Sequence, residues 1–105
     1  MKTYLKTNQE NTELKIELKY YLGGYNYWNY KHEPRGYYLH IQPIIRETRE
    51  NYFIEQYTPT KGYKALILET KRKSEKAYKT ALEMIEETKQ QMIEVITKNN
   101  NLELI

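Results

Sequence analysis

Between residues 12 and 22 the chain alternates without a break. Leu14, Ile16, Leu18, Tyr20 and Leu22 fall on one side, and Glu13, Lys15, Glu17 and Lys19 on the other. A period of two is the signature of a half-buried antiparallel strand, because successive side chains leave an extended backbone on opposite faces. A strand with one apolar face needs partners beside it and a cover over it, so this run commits the chain to a packed sheet.

The surrounding sequence supplies further strands. Thr3–Thr7 forms a weaker opening strand that turns back through Asn8–Asn11. Gly23-Gly24 ends the long strand and permits a reversal at positive φ. A loop of about a dozen residues follows and closes with Glu33-Pro34-Arg35-Gly36. Residues 37–44 read as the next strand, with Tyr37, Leu39 and Ile41 on one face and Tyr38, His40 and Gln42 on the other. Pro43 cannot donate to a ladder, which places it at an edge or at the strand's exit. Glu47–Asn51 is a polar turn and Tyr52–Tyr57 a further strand, and short connections favour a meander.

Thr58–Gly62 separates this sheet half from a helical half. In residues 75–98, Ala77, Ala81, Ile85, Thr88, Met92 and Val95 or Ile96 recur three or four apart, with Tyr78, Leu82 and Ile93 beside them. That is the apolar stripe of a helix. Residues 63–74 stay open between a short strand at Ala65–Leu68 and the first turns of the same helix. Helix is favoured because Thr60 can cap it and propensity from Lys64 to Lys79 is good. A helix beginning at Lys71 would also set Lys71, Arg72 and Lys73 at the positive end of its own dipole. Yet a helix over 62–98, at 1.5 Å per residue, would run about 55 Å, beyond the roughly 30 Å of a domain this size. It therefore bends near Glu69–Ser74 or projects to pair with another chain. Asn99–Asn101 ends it, and Leu102–Ile105 is expected to fray, though its apolar residues could dock. The expected fold is α+β: a small antiparallel sheet of three or four strands against one long or bent C-terminal helix. It forms a single domain over 1–105, with a sheet half 1–58, a helical half 60–98 and a tail 99–105.

The chemistry available is narrow. With no cysteine, thiol catalysis, disulfides and cysteine-ligated metal are excluded, and two histidines are too few for a histidine site. Glycines at 23, 24, 36 and 62 make no phosphate loop. His32 and Glu33 are neighbours that an extended backbone sends to opposite faces. His40 could approach them, and Ser74 is the only serine. Glu83, Glu86 and Glu87 form a solvated acidic face. The expectation is a protein that is not an enzyme and uses no cofactor. No apolar run spans a membrane, and Met1–Lys6 lacks the core of a secretory signal, so a cytoplasmic location is expected.

Binding is better provided for. Twelve of 105 residues are tyrosine, nine of them within the first 52. Tyr25, Tyr27, Trp28 and Tyr30, with Lys31 and Arg35, mix rings and cations in one loop, which suits a protein interface or a single-stranded nucleic acid. The same rings could instead pack over the sheet edge. From 61 to 79, Lys61, Lys64, Lys71, Arg72, Lys73, Lys76 and Lys79 face only Glu69 and Glu75. From 80 to 105, Lys89 and Lys98 face five glutamates. The helical half is thus polarised. The basic patch Lys71, Arg72, Lys73, Lys76 and Lys79 can meet phosphates or an acidic protein, or form a solvated face with i,i+4 pairs such as Glu69–Lys73 and Glu75–Lys79. The 77–96 stripe covers the sheet, and part of it could serve a homodimer seam.

The segments Tyr21–Tyr27, Glu33–Leu39 and Lys71–Ala77 together resemble small uncharacterised proteins carried on plasmids and phages of AT-rich Firmicutes and relatives. That resemblance implies an accessory protein of a mobile element, and in such a setting an anti-CRISPR-type inhibitor of a host defence complex. The leading expectation is a non-enzymatic protein-binding module. Direct binding of single-stranded or duplex nucleic acid comes second and a dimeric structural accessory protein third.

Overall fold

The computed structural model describes residues 1–27 and 30–105. Its elements in chain order are β1 (Lys2–Lys6), β2 (Thr12–Tyr21), β3 (Gly24–Asn26), β4 (Lys31–Glu33), β5 (Gly36–Arg49), β6 (Tyr52–Tyr57), β7 (Tyr63–Glu69) and α1 (Glu75–Asn99). The fold is α+β, an antiparallel sheet packed against one C-terminal helix.

β1 pairs with β2 and β2 with β5, each antiparallel. The far side of β5 is shared. Gly36–Ile41 pair with β7, and Ile44–Arg49 with β6. Both β6 and β7 run against β5, so they are two lengths of one strand line interrupted at 58–62. The sheet has five strands in four positions, where three or four strands were expected. Pro43 lies inside β5 rather than at its end. It sits where β5 changes partner, opposite Leu14 on β2, and its carbonyl accepts from Thr58 Oγ1 at 3.3 Å. N and O of one strand residue point the same way, so the ring nitrogen also faces this gap, where no ladder donor is required.

The segment 63–69 is a strand, not the start of a helix. The unpaired edge of β5 over 36–41 offers more than local propensity can, a frequent outcome for so weak a prior. A bulge opposite Tyr37 and Tyr38 places both Ile67 and Leu68 toward the core. The extra residue breaks the alternation that would have announced the strand. Ser74, not Thr60, caps the helix: its Oγ accepts from Ala77 N at 3.1 Å. Thr60 instead meets Asn100 at the helix's other end. The helix is confined to Glu75–Asn99, about 37 Å at 1.5 Å per residue, and its core contacts run from Ala77 to Ile96, so it lies along the sheet and does not project.

The core lies between the helix and one sheet face. Leu14, Ile16, Leu39 and Ile41 are wholly buried there, with Leu18, Tyr37 and Ile67, against Ala81, Ile85, Met92, Ile93 and Ile96. Each buried aliphatic side chain contributes about 1.5–3 kcal/mol. Tyr78 and Leu82 pack against the same core, so both rows of the helix stripe serve the sheet. Met84 and Val95 stay exposed. The tail docks rather than frays: Leu102 is buried, Thr7 bridges Leu104, and Asn8 N donates to Glu103 O at 2.7 Å.

Candidate functional site: an aromatic hairpin beside a basic loop

β3 and β4 continue the β2–β5 ladder. Tyr21 faces Gly36 and, three rungs on, Gly24 faces Glu33 with the same offset. Residues 12–45 are therefore one long hairpin whose last rungs form a separate small ribbon beyond the sheet. Gly23 makes the break between them. Its φ is +70°, and a Cβ there would lie 2.5 Å from the Glu33 carbonyl oxygen, so only glycine fits. Across the break, Tyr38 Oη donates to Pro34 O at 2.6 Å, and the Tyr38 ring meets Tyr21 edge-on at 5.5 Å. The sequence expected a loop of about a dozen residues here; the structure makes most of it a projecting arm about 13 Å long at 3.3 Å per residue.

The tip carries the exposed rings. Tyr27 and Tyr30 are each 79% exposed and Tyr25 48%. Tyr25 and Tyr27 touch edge-to-face with centroids 4.9 Å apart. Tyr30 sits at φ +56°, a left-handed conformation that glycine or asparagine holds at lower cost. Trp28, the other expected anchor, lies outside the described residues. Tyr20, Tyr37 and Tyr78 pack with the core and Tyr38 pins the arm's base, while Tyr25, Tyr27 and Tyr30 face outward.

The basic loop 70–74 joins β7 to the helix at this same end, and Arg35 ties the two together. Its Nε donates to Leu22 O at 3.1 Å and its Nη1 to Lys71 O at 3.4 Å, while Thr70 N donates to Arg35 O at 3.0 Å. Arg35, which stays exposed, is therefore also a strut between arm and loop. From below, Tyr20 Oη reaches Thr70 O at 3.5 Å and Tyr37 Oη reaches Ser74 O at 3.2 Å. The loop backbone is held on both sides, and its side chains stand clear. Lys71, Arg72, Lys73 and Lys76 are exposed and form no ion pair among the described residues. Of the two expected i,i+4 pairs, Glu75–Lys79 forms at 3.8 Å, while Glu69–Lys73 does not form among the described residues because Glu69 ends β7 and not a helical turn. Lys31 is engaged on β4. Lys64 bonds Glu33 at 3.2 Å and lies over the Tyr21 and Tyr38 rings.

The electrostatics of this end are one-sided. Lys31, Arg35, Lys64, Lys71, Arg72, Lys73, Lys76 and Lys79 face Glu33, Glu69 and Glu75, a local charge of +5 in a chain of net +3. The rest of the molecule is net negative by two. The cations before Ser74 also crowd the positive end of the helix dipole, the arrangement that sequence reasoning judged unfavourable.

The sheet face away from the helix holds a second constellation that sequence reasoning missed. Arg46 lies between the Tyr4 ring (4.7 Å) and the Phe53 ring (4.4 Å) and reaches Glu13 at 3.5 Å. Beside it Glu55 accepts from Tyr4 Oη and from Lys15 Nζ at 3.0 Å. The Tyr4 hydrogen bond, with Lys15 assisting, holds the Glu55 carboxyl below its ordinary value against the opposing effect of burial. Arg46, Phe53 and the 7–11 turn line an open cleft of about 560 Å³ at the opposite end from the arm. The signal lay in register: which rings flank Arg46 depends on pairings across three strands. On the same face His40 is held below its ordinary pKa by burial and by Lys19. Lys64 pairs with Glu33 and faces His40 across the ladder, and Glu33 does not line the roughly 10 Å³ hollow at His40. Among the described residues no three His, Asp or Glu side chains are placed to hold a metal ion, and no helix is long and apolar enough to cross a membrane. No family model, curated protein or solved structure matches this chain.

Proposed function

We propose that this protein is a non-enzymatic binding module that engages an anionic macromolecular partner with the arm-and-loop end of its sheet. The observation that carries the reading is the juxtaposition made by Arg35: exposed tyrosines on a projecting ribbon, braced against a rigid loop of unpaired cations. Exposed rings supply contact area at low entropic cost, and the charge steers association and selects a partner of opposite sign.

A protein partner, the first expectation, would be held through an acidic face. In the mobile-element setting implied by the resemblance, the module would act as an inhibitor seated on a defence complex. It would do so by covering an acidic surface and not by imitating nucleic acid, since mimicry needs carboxylates where this end carries cations. Nucleic acid is the second reading, favoured by the cations that no carboxylate neutralises.

The test is capture of partners from lysate by the tagged chain, set beside capture by a Tyr27→Ser/Tyr30→Ser variant and a Lys71→Gln/Arg72→Gln/Lys73→Gln variant. All three proteins are first compared by circular dichroism. A partner lost by both folded variants supports the surface. Partners retained by both would assign binding elsewhere.

A further inference from the structure

Resting on that contact end, we infer that its occupant is a single strand of nucleic acid, with bases stacked on Tyr27 and Tyr30 and phosphates along Lys71, Arg72, Lys73 and Lys76. Three observations carry this. First, the cations are unpaired among the described residues, and the loop that bears three of them is held by main-chain hydrogen bonds to Arg35, Tyr20 and Tyr37, with Lys76 on the helix that follows. A pre-set row of cations matches a polyphosphate backbone, whose charges recur at regular spacing, and releases its counterions on binding. Second, the tip offers ring faces. Every base presents a π-face when unpaired, and stacking on tyrosine needs no particular sequence. In a duplex those faces are already covered, so the exposed rings would contribute little there. Third, Tyr30 is kept at φ +56° while its side chain stands largely exposed. Strain of this kind at an exposed aromatic fits a ring presented for use. The Arg46 cleft does not compete, because its cation already has Glu13 and two rings as partners.

The arm and the loop meet at Arg35, so one strand can run from the ring tip along the arm to the loop. About four unpaired cations predict a logarithmic salt slope near −3, or about a 50-fold weakening between roughly 50 and 200 mM salt. Each stacked ring is worth on the order of tenfold in affinity or more.

The experiment titrates the full chain into fluorescently labelled oligothymidine and oligouridine of about 12 nucleotides, and into a duplex of equal length, reading anisotropy at several salt concentrations. The expected result is single-strand binding with that slope and weaker duplex binding. The Tyr27→Ser/Tyr30→Ser variant should lose about 100-fold or more with its slope unchanged. The Lys71→Gln/Arg72→Gln/Lys73→Gln variant should have a slope near −0.7, about a threefold weakening over the same salt range. No single-strand binding at low salt, duplex binding as tight as single-strand binding, or affinity indifferent to the two tyrosines would each overturn the inference. The failures separate through capture from nuclease-treated lysate. A protein still captured by the native chain and lost by the same variants leaves the contact end standing with an acidic protein as occupant. Insensitivity of both oligonucleotide binding and capture removes the contact end as well.

Discussion

Lys73 stands immediately before the helix cap, in a row with Lys71 and Arg72 and one turn from Lys76, and it has no counter-ion among the described residues. Replacing it with glutamate removes a cation from the positive end of a helix dipole and puts an anion there. Each half of that change is worth about 0.3–1 kcal/mol at low ionic strength. Full exposure argues for the lower part of the range, so Lys73→Glu should stabilise the fold by about 0.5–1 kcal/mol. For a chain of this length that raises Tm by roughly 3–6 °C. The gain is electrostatic and should shrink to nothing near 1 M salt, where screening acts within about 3 Å. Thermal denaturation followed by far-ultraviolet circular dichroism at low and high salt measures both quantities. Binding should move the other way, with partner affinity falling as stability rises. A loss of stability at low salt, or a gain that persists at high salt, would refute the claim that this loop trades fold stability for an exposed cation row.

Tyr30→Gly should relieve the left-handed strain and raise stability by about 0.5–1 kcal/mol by chemical denaturation, while weakening partner binding. Gly23→Ala, which forces a methyl against the Glu33 carbonyl, should disorder the arm and leave the sheet intact, seen as loss of the Tyr25–Asn26 and Lys31–His32 amide dispersion alone. Leu39→Ala empties a wholly buried site and should cost about 2–5 kcal/mol in urea denaturation. The depressed Glu55 carboxyl contributes stability that is present above its ordinary pKa and lost as pH falls through the folded value. Tyr4→Phe, which removes its first partner, should flatten that acid limb of the pH–stability curve.

Much of this architecture was legible because it rests on uninterrupted patterns. The 12–21 strand, its partner from Tyr37 and the helix from 75 announced themselves by period, and the 52–57 strand by the polar turn before it. What was hidden depends on single residues that break a period. One bulge at Ile67 disguised β7, and its apolar residues then looked helical. Pro43 looked like an exit because its usefulness at a change of partner cannot be seen without β6 and β7 in place. The candidate site was legible as two parts, rings and cations, some 40 residues apart in sequence. Their meeting was not, because it is made by Arg35 bonding to two main-chain oxygens. Arg35 was foreseen as a contact, and its tie between arm and loop was not foreseen. The lysine row was expected to avoid the head of the helix and stands there with its charges unpaired.

The break at 58–62 has a mechanical consequence. β6 and β7 lie in line on β5 without supporting one another, and only β7, with the 36–41 half of β5, lies under the helix core. The outer rungs of the 44–57 wing, Glu47–Arg49 with Tyr52–Ile54, can open from the Glu50–Asn51 turn as far as the Arg46–Glu13 and Glu55–Lys15 contacts while the arm, the basic loop and the helix keep their places. Amide hydrogen exchange should therefore divide one continuous strand in two: fast amides in the Glu47–Arg49 rungs, slow ones at Leu39 and Ile41. β6 thus lies at the end of β5 opposite the arm and the basic loop.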